Sequence, residues 1–391
     1  MEEVHRVISL TNNPITEYDI DILCEWLKTN PRLTKGRMTK AYEAAWSKYL
    51  GCKYSVFVNS GSSANLLMLY TLIANEEIKP GDKVVVPAVS WATDLAPVIQ
   101  LGLVPILCDC NLQDLSIDLD HLESIIGDHE PSVLMLVSVM GICPDMMKIT
   151  SICTNNNIIL LEDTCESLGS ADGLLKLGTW GAMSSFSTYY GHHLSTIEGG
   201  MVCTDDKNYY EMLIMLRSHG WSRDLSPEAR RAYQKSWERS DFQDQFTFYV
   251  PGFNLRSTDL QAFIGLQQLE KAEDVVRGRW DAYIKYRRIF EAVGHWVPKT
   301  TPDCVNSAMG YPVLVDNRDE VVKKLKENDI ECRPIISGSM AEQPMYLSRC
   351  YAADPVVPNS QKVDKLGLYV PCHEGLSDHE IEKVADVIIH V

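Results

Sequence analysis

The sequence predicts an α/β protein: a large unit built on a mostly parallel sheet wrapped by helices, followed by a smaller α+β unit. Three observations carry this. Short apolar runs such as "YSVFV", "KVVVPA" and "NIILLED" recur through the first two thirds of the chain. They alternate with longer segments of helical pattern, and strands buried on both faces are what helix-covered parallel sheets require. After Gly200 the alternation stops and long helical material takes over.

The elements follow in order. Tyr54–Val58 reads as a buried strand and "SSANLLMLYTLIA" (Ser62–Ala74) as the helix after it. Lys83–Ala88 is a second strand, "WATDLAPVIQLG" a second helix and Val104–Asp109 a third strand. Ser132–Gly141 and Asn157–Asp163 read as two more strands, with "PDMMKITSICTNN" as the helix between them. "NYYEMLIMLRSHG" is a helix closed by glycine, and "LSPEARRAYQKSWERSDFQDQ" is polar enough for a long loop or excursion. The stretch from Ser257 to Val293 reads as helix. The smaller unit then offers "MGYPVLV" as a strand, "RDEVVKKLKEN" as a helix, "ECRPII" as a strand and "SDHEIEKVADVIIHV" as a closing helix with a Ser N-cap. The expected division is a large domain over residues 1–270 with an N-terminal arm, and a small C-terminal α+β domain over 271–391.

Composition narrows the function classes. The chain has 391 residues, 45% hydrophobic and 23% charged, as in an ordinary globular protein. A net charge of −17 argues against nucleic-acid binding, which needs a basic face. An anionic small molecule would have to be met by a few local arginines. "MEEVHRVISLTNNP" lacks the pattern of a signal peptide, and no apolar run is long enough to span a bilayer, so the expected location is cytoplasmic, away from membranes. Twelve cysteines are spread singly, apart from Cys108 and Cys110; they read as reduced, mostly buried thiols and not as a metal site.

Four places carry candidate chemistry. In "VNSGSSANLL", Ser62 and Ser63 open a helix after a strand, where free N–H groups and the helix dipole suit a phosphate; an ordinary Ser cap explains them as well. "LLEDTCES" places Glu162, Asp163 and Glu166 at and beyond a strand's carboxyl end, where open α/β sheets bind ligands. An acid there needs a cationic partner such as a protonated ring nitrogen, or else serves a helix start. Trp91 follows another strand and is either a stacking ring or core. In "FSTYYGHHLSTIEGG", Ser187 and Thr188 offer hydroxyls, while His192 and His193 are adjacent. Adjacent histidines project apart on a strand or a helix, and no carboxylate or third histidine stands at metal-ligand spacing, so no metal site is expected. One histidine acting as acid or base fits better. Together these are the parts of a pyridoxal-phosphate pocket without its lysine.

Order and wording then resemble the sugar aminotransferase family of fold-type I pyridoxal-phosphate enzymes over essentially the whole chain. The matching segments are "NSGSSANLL", "VPAVSW", "LLEDTCES", "FSTYYGHHLSTIEGG", "PGFNLRSTDLQAFIGLQQL" and "ECRPI". Most of that family has a cofactor-binding lysine six residues before the "EGG" glutamate; here that residue is His192. The chain thus resembles the family's lysine-less dehydratase branch.

The resemblance implies Asp163 as partner of the pyridinium nitrogen, Glu166 beside the ring hydroxyl, and Trp91 as the stacking ring. It implies Ser62, Ser63 and Ser187 as phosphate ligands, and Asn254 as a phosphate ligand offered from the other subunit of a homodimer with a shared active site. His219, Arg256, Glu331 and Arg333 fall on the substrate side.

The implied activity is that of a lyase of deoxysugar (O-antigen type) biosynthesis. Pyridoxal 5'-phosphate is converted to pyridoxamine 5'-phosphate by L-glutamate. The C3 hydroxyl of a nucleotide-linked 4-keto-6-deoxyhexose is then removed, with His192 moving the protons, and the product is a 4-keto-3,6-dideoxy sugar. Guanosine diphosphate is the nucleotide the resemblance implies, with cytidine diphosphate as the alternative; a noncatalytic cofactor- or nucleotide-sugar-binding homologue is a further alternative. A related branch uses an iron–sulfur cluster with a reductase partner and clusters cysteines after "EGG". Here only Cys203 follows closely and the next is Cys304, so no such partner is expected.

Overall fold

The computed structural model describes residues 7–349 and 356–391. Its centre is a seven-stranded sheet. In spatial order the strands are Tyr54–Val58, Gly200–Thr204, Met183–Ser187, Ile159–Asp163, Val133–Val137, Lys83–Pro87 and Val104–Cys108. Gly200–Thr204 is antiparallel to both its neighbours, and every other pairing is parallel. Tyr54–Val58 therefore points the same way as the parallel set, and six strands end at one edge.

The apolar runs are two-faced, as expected. In Lys83–Pro87, Val84 and Val86 join a cluster with Leu67, Met68, Leu72 and Leu213, whereas Val85 joins Leu122, Ile125, Met146 and Ile149 on the other face. This is the period-two alternation of a pleated strand, with both faces covered by helices. All five residues of Val133–Val137 are buried.

Some segments differ from the sequence reading. Ser132–Gly141 is strand only over Val133–Val137 and then turns into a short 3-10 helix, Val139–Gly141. The polar segment 225–245 is not a plain loop but folds into the helices Pro227–Ser236 and Asp241–Asp244, each opened by a serine cap. The helical stretch from Ser257 breaks at Lys271 into Asp259–Glu270 and Ala272–Ala292. "ECRPII" forms no strand; Arg333 makes a single bridge to Tyr369. The hairpin partner of Gly310–Leu314 is instead Gly367–Pro371. Two strands of the main sheet were not anticipated. "MSSFS" (Met183–Ser187) has no β-branched residue, and of its two fully buried serines Ser184 donates its Oγ to the Gly178 carbonyl at 2.7 Å while the Ser185 Oγ has no hydrogen-bond partner in the protein.

The helices Ala272–Ala292, Arg318–Glu327 and Asp378–Ile389 pack around that hairpin, and Ile8 lies in the same apolar cluster. Three contacts tie the N-terminal segment there: Ile8 bridges Ile330, the Leu10 N–H donates to Glu331 Oε2 at 2.9 Å, and His373 Nε2 lies 3.0 Å from the Ser9 carbonyl. Among the described residues no helix is long and apolar enough to cross a membrane, and no group of three His, Cys, Asp or Glu side chains is arranged to hold a metal.

Candidate active site

The site lies at the edge where the six strands end, the usual ligand position of an open α/β sheet. The strand Tyr54–Val58 leads into the helix Gly61–Ala74, capped by Ser60, whose Oγ accepts the Ser63 N–H at 3.1 Å. Ser62 is exposed and Ser63 half-buried at this helix start. Gly61 is there for close approach: a Cβ would stand 2.9 Å from the Ser187 Cβ and 3.0 Å from the Cys165 sulfur. Ser62, Ser63 and Ser187 are thereby gathered around one helix N-terminus, with free N–H groups and the positive end of a dipole.

The acids of "LLEDTCES" separate by strand alternation. Glu162 turns away from the edge and accepts the N–H groups of Gly178, Trp180 and Gly181 at 2.8, 2.8 and 2.7 Å. It is a structural clasp for that turn. Asp163 faces the edge: its Oδ1 accepts the Cys165 N–H at 2.8 Å and its Oδ2 accepts the Asn65 amide at 2.6 Å. Glu166, half-buried, accepts the Met140 N–H at 2.8 Å. Burial pushes its carboxyl up to about 8, Asp163 adding to the rise against the Met140 bond. Trp91 opens the helix Ala92–Gln100 with 54% of its surface exposed, so it is a ring at the edge and not part of the core.

The turn between the last two strands is held by its threonines. Thr188 N–H donates to the Gly199 carbonyl at 2.9 Å, Thr196 N–H to the Thr188 carbonyl at 2.8 Å, and the two hydroxyls meet at 2.5 Å. Ile197 sits at φ 72°, a conformation that costs a β-branched residue about 1–3 kcal/mol. In this frame His193 is buried with Nε2 2.8 Å from the Ser307 carbonyl. The buried Nδ1 of His192 has no hydrogen-bond partner in the protein. Burial pulls the His192 imidazole down to about 4; Asp163 and the Cys165 backbone act the other way, and Arg279 adds to the fall. At neutral pH this ring is uncharged and able to accept a proton.

The expected substrate-side residues fall into two groups. Arg256 Nε donates to Asn254 Oδ1 at 3.0 Å, and its Nη2 lies 3.3 Å from His219 Nε2. This trio reaches the site because Arg256 bridges Val58, at the strand end before Ser60. Arg333 is exposed and bound by its backbone to Tyr369, whose hydroxyl is pushed up to about 12 by burial and then by Glu166, with Arg333 opposing. Glu331 uses a carboxylate oxygen on the Leu10 N–H, a tie to the N-terminal segment.

Three residues were not singled out from the sequence: Asn65, Asp94 and Tyr369. Asn65 donates to Asp163 and, at 3.1 Å, to Asp94 Oδ1. Asp94 also accepts the Trp91 N–H at 3.0 Å. Their pairing spans long stretches of chain, and the only local signal is an acid three residues after Trp91, which reads as a helix-start residue.

Known proteins resemble this chain over nearly its whole length. A curated GDP-4-keto-6-deoxy-D-mannose 3-dehydratase from Yersinia pseudotuberculosis is 35% identical over 364 residues, covering 91% of each chain. The protein of that name from Escherichia coli O55:H7 is 34% identical over 91% of this chain and 92% of its own. A solved structure of E. coli GDP-4-keto-6-deoxy-D-mannose-3-dehydratase with bound hydrated PLP superposes with a TM-score of 0.90 at 31% identity, covering 98% of this chain and 100% of that one. Residues 14–389 match the sequence profile of the DegT/DnrJ/EryC1/StrS aminotransferases. The chain belongs to the DegT/DnrJ/EryC1/StrS aminotransferase family.

Proposed function

We propose that this protein is a pyridoxal/pyridoxamine-phosphate-dependent lyase. It removes the C3 hydroxyl of a nucleotide-linked 4-keto-6-deoxyhexose, with GDP as the nucleotide and L-glutamate regenerating the amine form of the cofactor. The observation that carries this is His192: an imidazole held neutral, with a buried, unpartnered ring nitrogen, stands beside Asp163 where the family's amine would be. Two relatives 35% and 34% identical to it over 91% and 92% of their own length bear the dehydratase name.

The residues present suit the cofactor. The Ser60–Ser63 helix start and Ser187 form a cradle that a Cβ on Gly61 would fill, matched to a phosphate. Asp163 suits the ring nitrogen, Glu166 the ring hydroxyl and Trp91 the ring face. Asn254 is exposed, and its role is to reach the phosphate of a partner protomer in a homodimer. When bound, the cofactor supplies an amine for the C4 ketone and an electron sink for cleavage at C3.

The remaining work is the chain's own. His192 takes the proton from the cofactor's C4′ carbon and delivers one to the departing C3 hydroxyl, a dual role that needs the ring neutral at the outset. Because no amine stands at this position, the product is not handed back to a lysine and water completes the turnover. Arg256 and Arg333, with His219 beside Arg256, meet the anionic nucleotide sugar, the two guanidinium groups being local cations against a net charge of −17. The enzyme works in the cytoplasm.

The test is incubation with cofactor, glutamate and the GDP-linked or CDP-linked 4-keto-6-deoxyhexose. The GDP sugar should yield a 3-deoxy product with ammonia. No deoxy sugar from either, with the aldehyde form never consumed by glutamate, would refute the reading.

A further inference from the structure

Asp94 and Asp163 are both buried, and one amide serves both: Asn65 Nδ2 lies 2.6 Å from Asp163 Oδ2 and 3.1 Å from Asp94 Oδ1. The same nitrogen reaches the Thr93 carbonyl at 3.2 Å, while Asn65 Oδ1 is buried without a partner. The second Asp94 oxygen takes the Trp91 N–H, and Asp163 Oδ1 takes the Cys165 N–H. Among the described residues no lysine, arginine or histidine forms an ion pair with either carboxyl. The titratable groups facing Asp94 from the neighbouring elements are Asp163, Glu166 and the Cys165 thiol, and from its own helix there are none; Asp163 in addition faces His192, whose imidazole burial keeps uncharged at neutral pH, so that it is no counter-cation. Two carboxylates enclosed in this way cannot both ionise without a cation. Burial, and then Asp163, push the Asp94 carboxyl well above the usual range.

We infer that Asp94 and Asp163 form a proton-sharing carboxyl pair bridged by Asn65, and that the shared proton is the one the cofactor's ring nitrogen carries once bound. The inference rests on the reading of Asp163 as the ring nitrogen's partner. Before binding, the pair holds one proton and one negative charge. On binding, the O–H bond at Asp94 breaks, Asp163 passes the proton on, and an N–H bond forms on the ring. Two carboxylates then face one cation, so the net charge is unchanged and both acids can stay ionised. Asp94 is thus a positioning residue: it acts on the ring through Asp163.

The experiment is calorimetric titration of the cofactor-free protein with pyridoxamine phosphate in buffers of different ionisation enthalpy, at a pH where the free ring nitrogen is unprotonated. Wild type should bind with almost no proton uptake. Asp94→Asn keeps the acceptor for Trp91 and the shape of the pair but has no proton to give, so it should take up about one more proton per cofactor bound. Equal uptake in the two proteins overturns the inference and leaves the pocket assignment standing. No binding by wild type overturns both. A second measurement does not depend on the folding of the Asp94 variant. In a Glu166→Gln background, the infrared difference spectrum on cofactor binding should show loss of a protonated-carboxyl band; its absence overturns the inference.

Discussion

His193 Nε2 lies 2.8 Å from the Ser307 carbonyl, 114 residues away in the chain, and the Nδ1 of His193 and that of its neighbour His192 are both buried without a partner in the protein. The His193 ring is anchored to the fold through Ser307, whereas the His192 ring lies against Asp163 and the Cys165 backbone, within the site. His192→Asn should therefore lower the dehydration rate by about 10²–10⁴-fold, the usual worth of a positioned acid–base group, while cofactor still binds. His192→Lys should give a covalent attachment seen as a shift in the cofactor's visible absorbance, with dehydration abolished. A His192→Lys protein that dehydrates well would remove His192 from the mechanism.

The neighbouring substitution separates the two roles. His193→Leu loses the bond to Ser307 and leaves that carbonyl buried and unmet, a cost of about 1–3 kcal/mol. Thermal unfolding should fall accordingly, and the spectrum of the bound cofactor should not change.

The difference between these histidines could be reasoned from the sequence because a known position was occupied by an unexpected residue. The strands around the site were legible for a simpler reason: runs such as Val84–Val86 are β-branched and apolar on both faces. "MSSFS" carries neither signal: three of its five residues are serines and none is β-branched. Which of Glu162 and Asp163 faces the ligand depends on strand phase, and adjacency in sequence hides it. Asn65 lies 29 residues from Asp94 and 98 from Asp163, so their junction exists only once the sheet is assembled.

Glu166 makes a prediction in pH. Its carboxyl rises from 4.5 to about 8, so the unfolded chain gives up this proton before the folded one. The folded state is then penalised progressively as pH rises from about 4.5 to about 8, and not below that window. Glu166→Gln keeps an oxygen for the Met140 N–H and removes the charge. The cofactor-free variant should match wild type in thermal unfolding near pH 4.5 and exceed it above pH 8, by about 1–3 kcal/mol once solvent screening is allowed for. Parallel curves across this range would mean that Glu166 is not held protonated.

Gly61→Ala tests the phosphate cradle. The new methyl would meet the Ser187 Cβ and the Cys165 sulfur at distances that force a shift, costing about 1–3 kcal/mol. One of the displaced groups, Ser187, is proposed to hold the phosphate, and Gly61 itself opens the helix whose N–H groups face it. Affinity for pyridoxamine phosphate should fall by at least about tenfold, while affinity for pyridoxamine, which has no phosphate, should change little. Equal losses for both ligands would place the phosphate elsewhere.

Asn254 tests whether the site is shared between protomers. Its side chain is exposed and steadied by Arg256 Nε at 3.0 Å, as suits a group offered outward. In a homodimer with a shared site, a protomer bearing His192→Asn still presents an intact Asn254, and a protomer bearing Asn254→Ala still carries an intact His192. Each variant alone should be poorly active. Mixed after joint refolding or co-expression, they should form hybrid dimers in which one of the two sites has both residues intact. Random pairing makes about half the dimers hybrid and half of their sites whole, so activity should recover to about a quarter of wild type. If Asn254 serves the site of its own chain, each site in a hybrid carries one lesion, and mixing restores nothing.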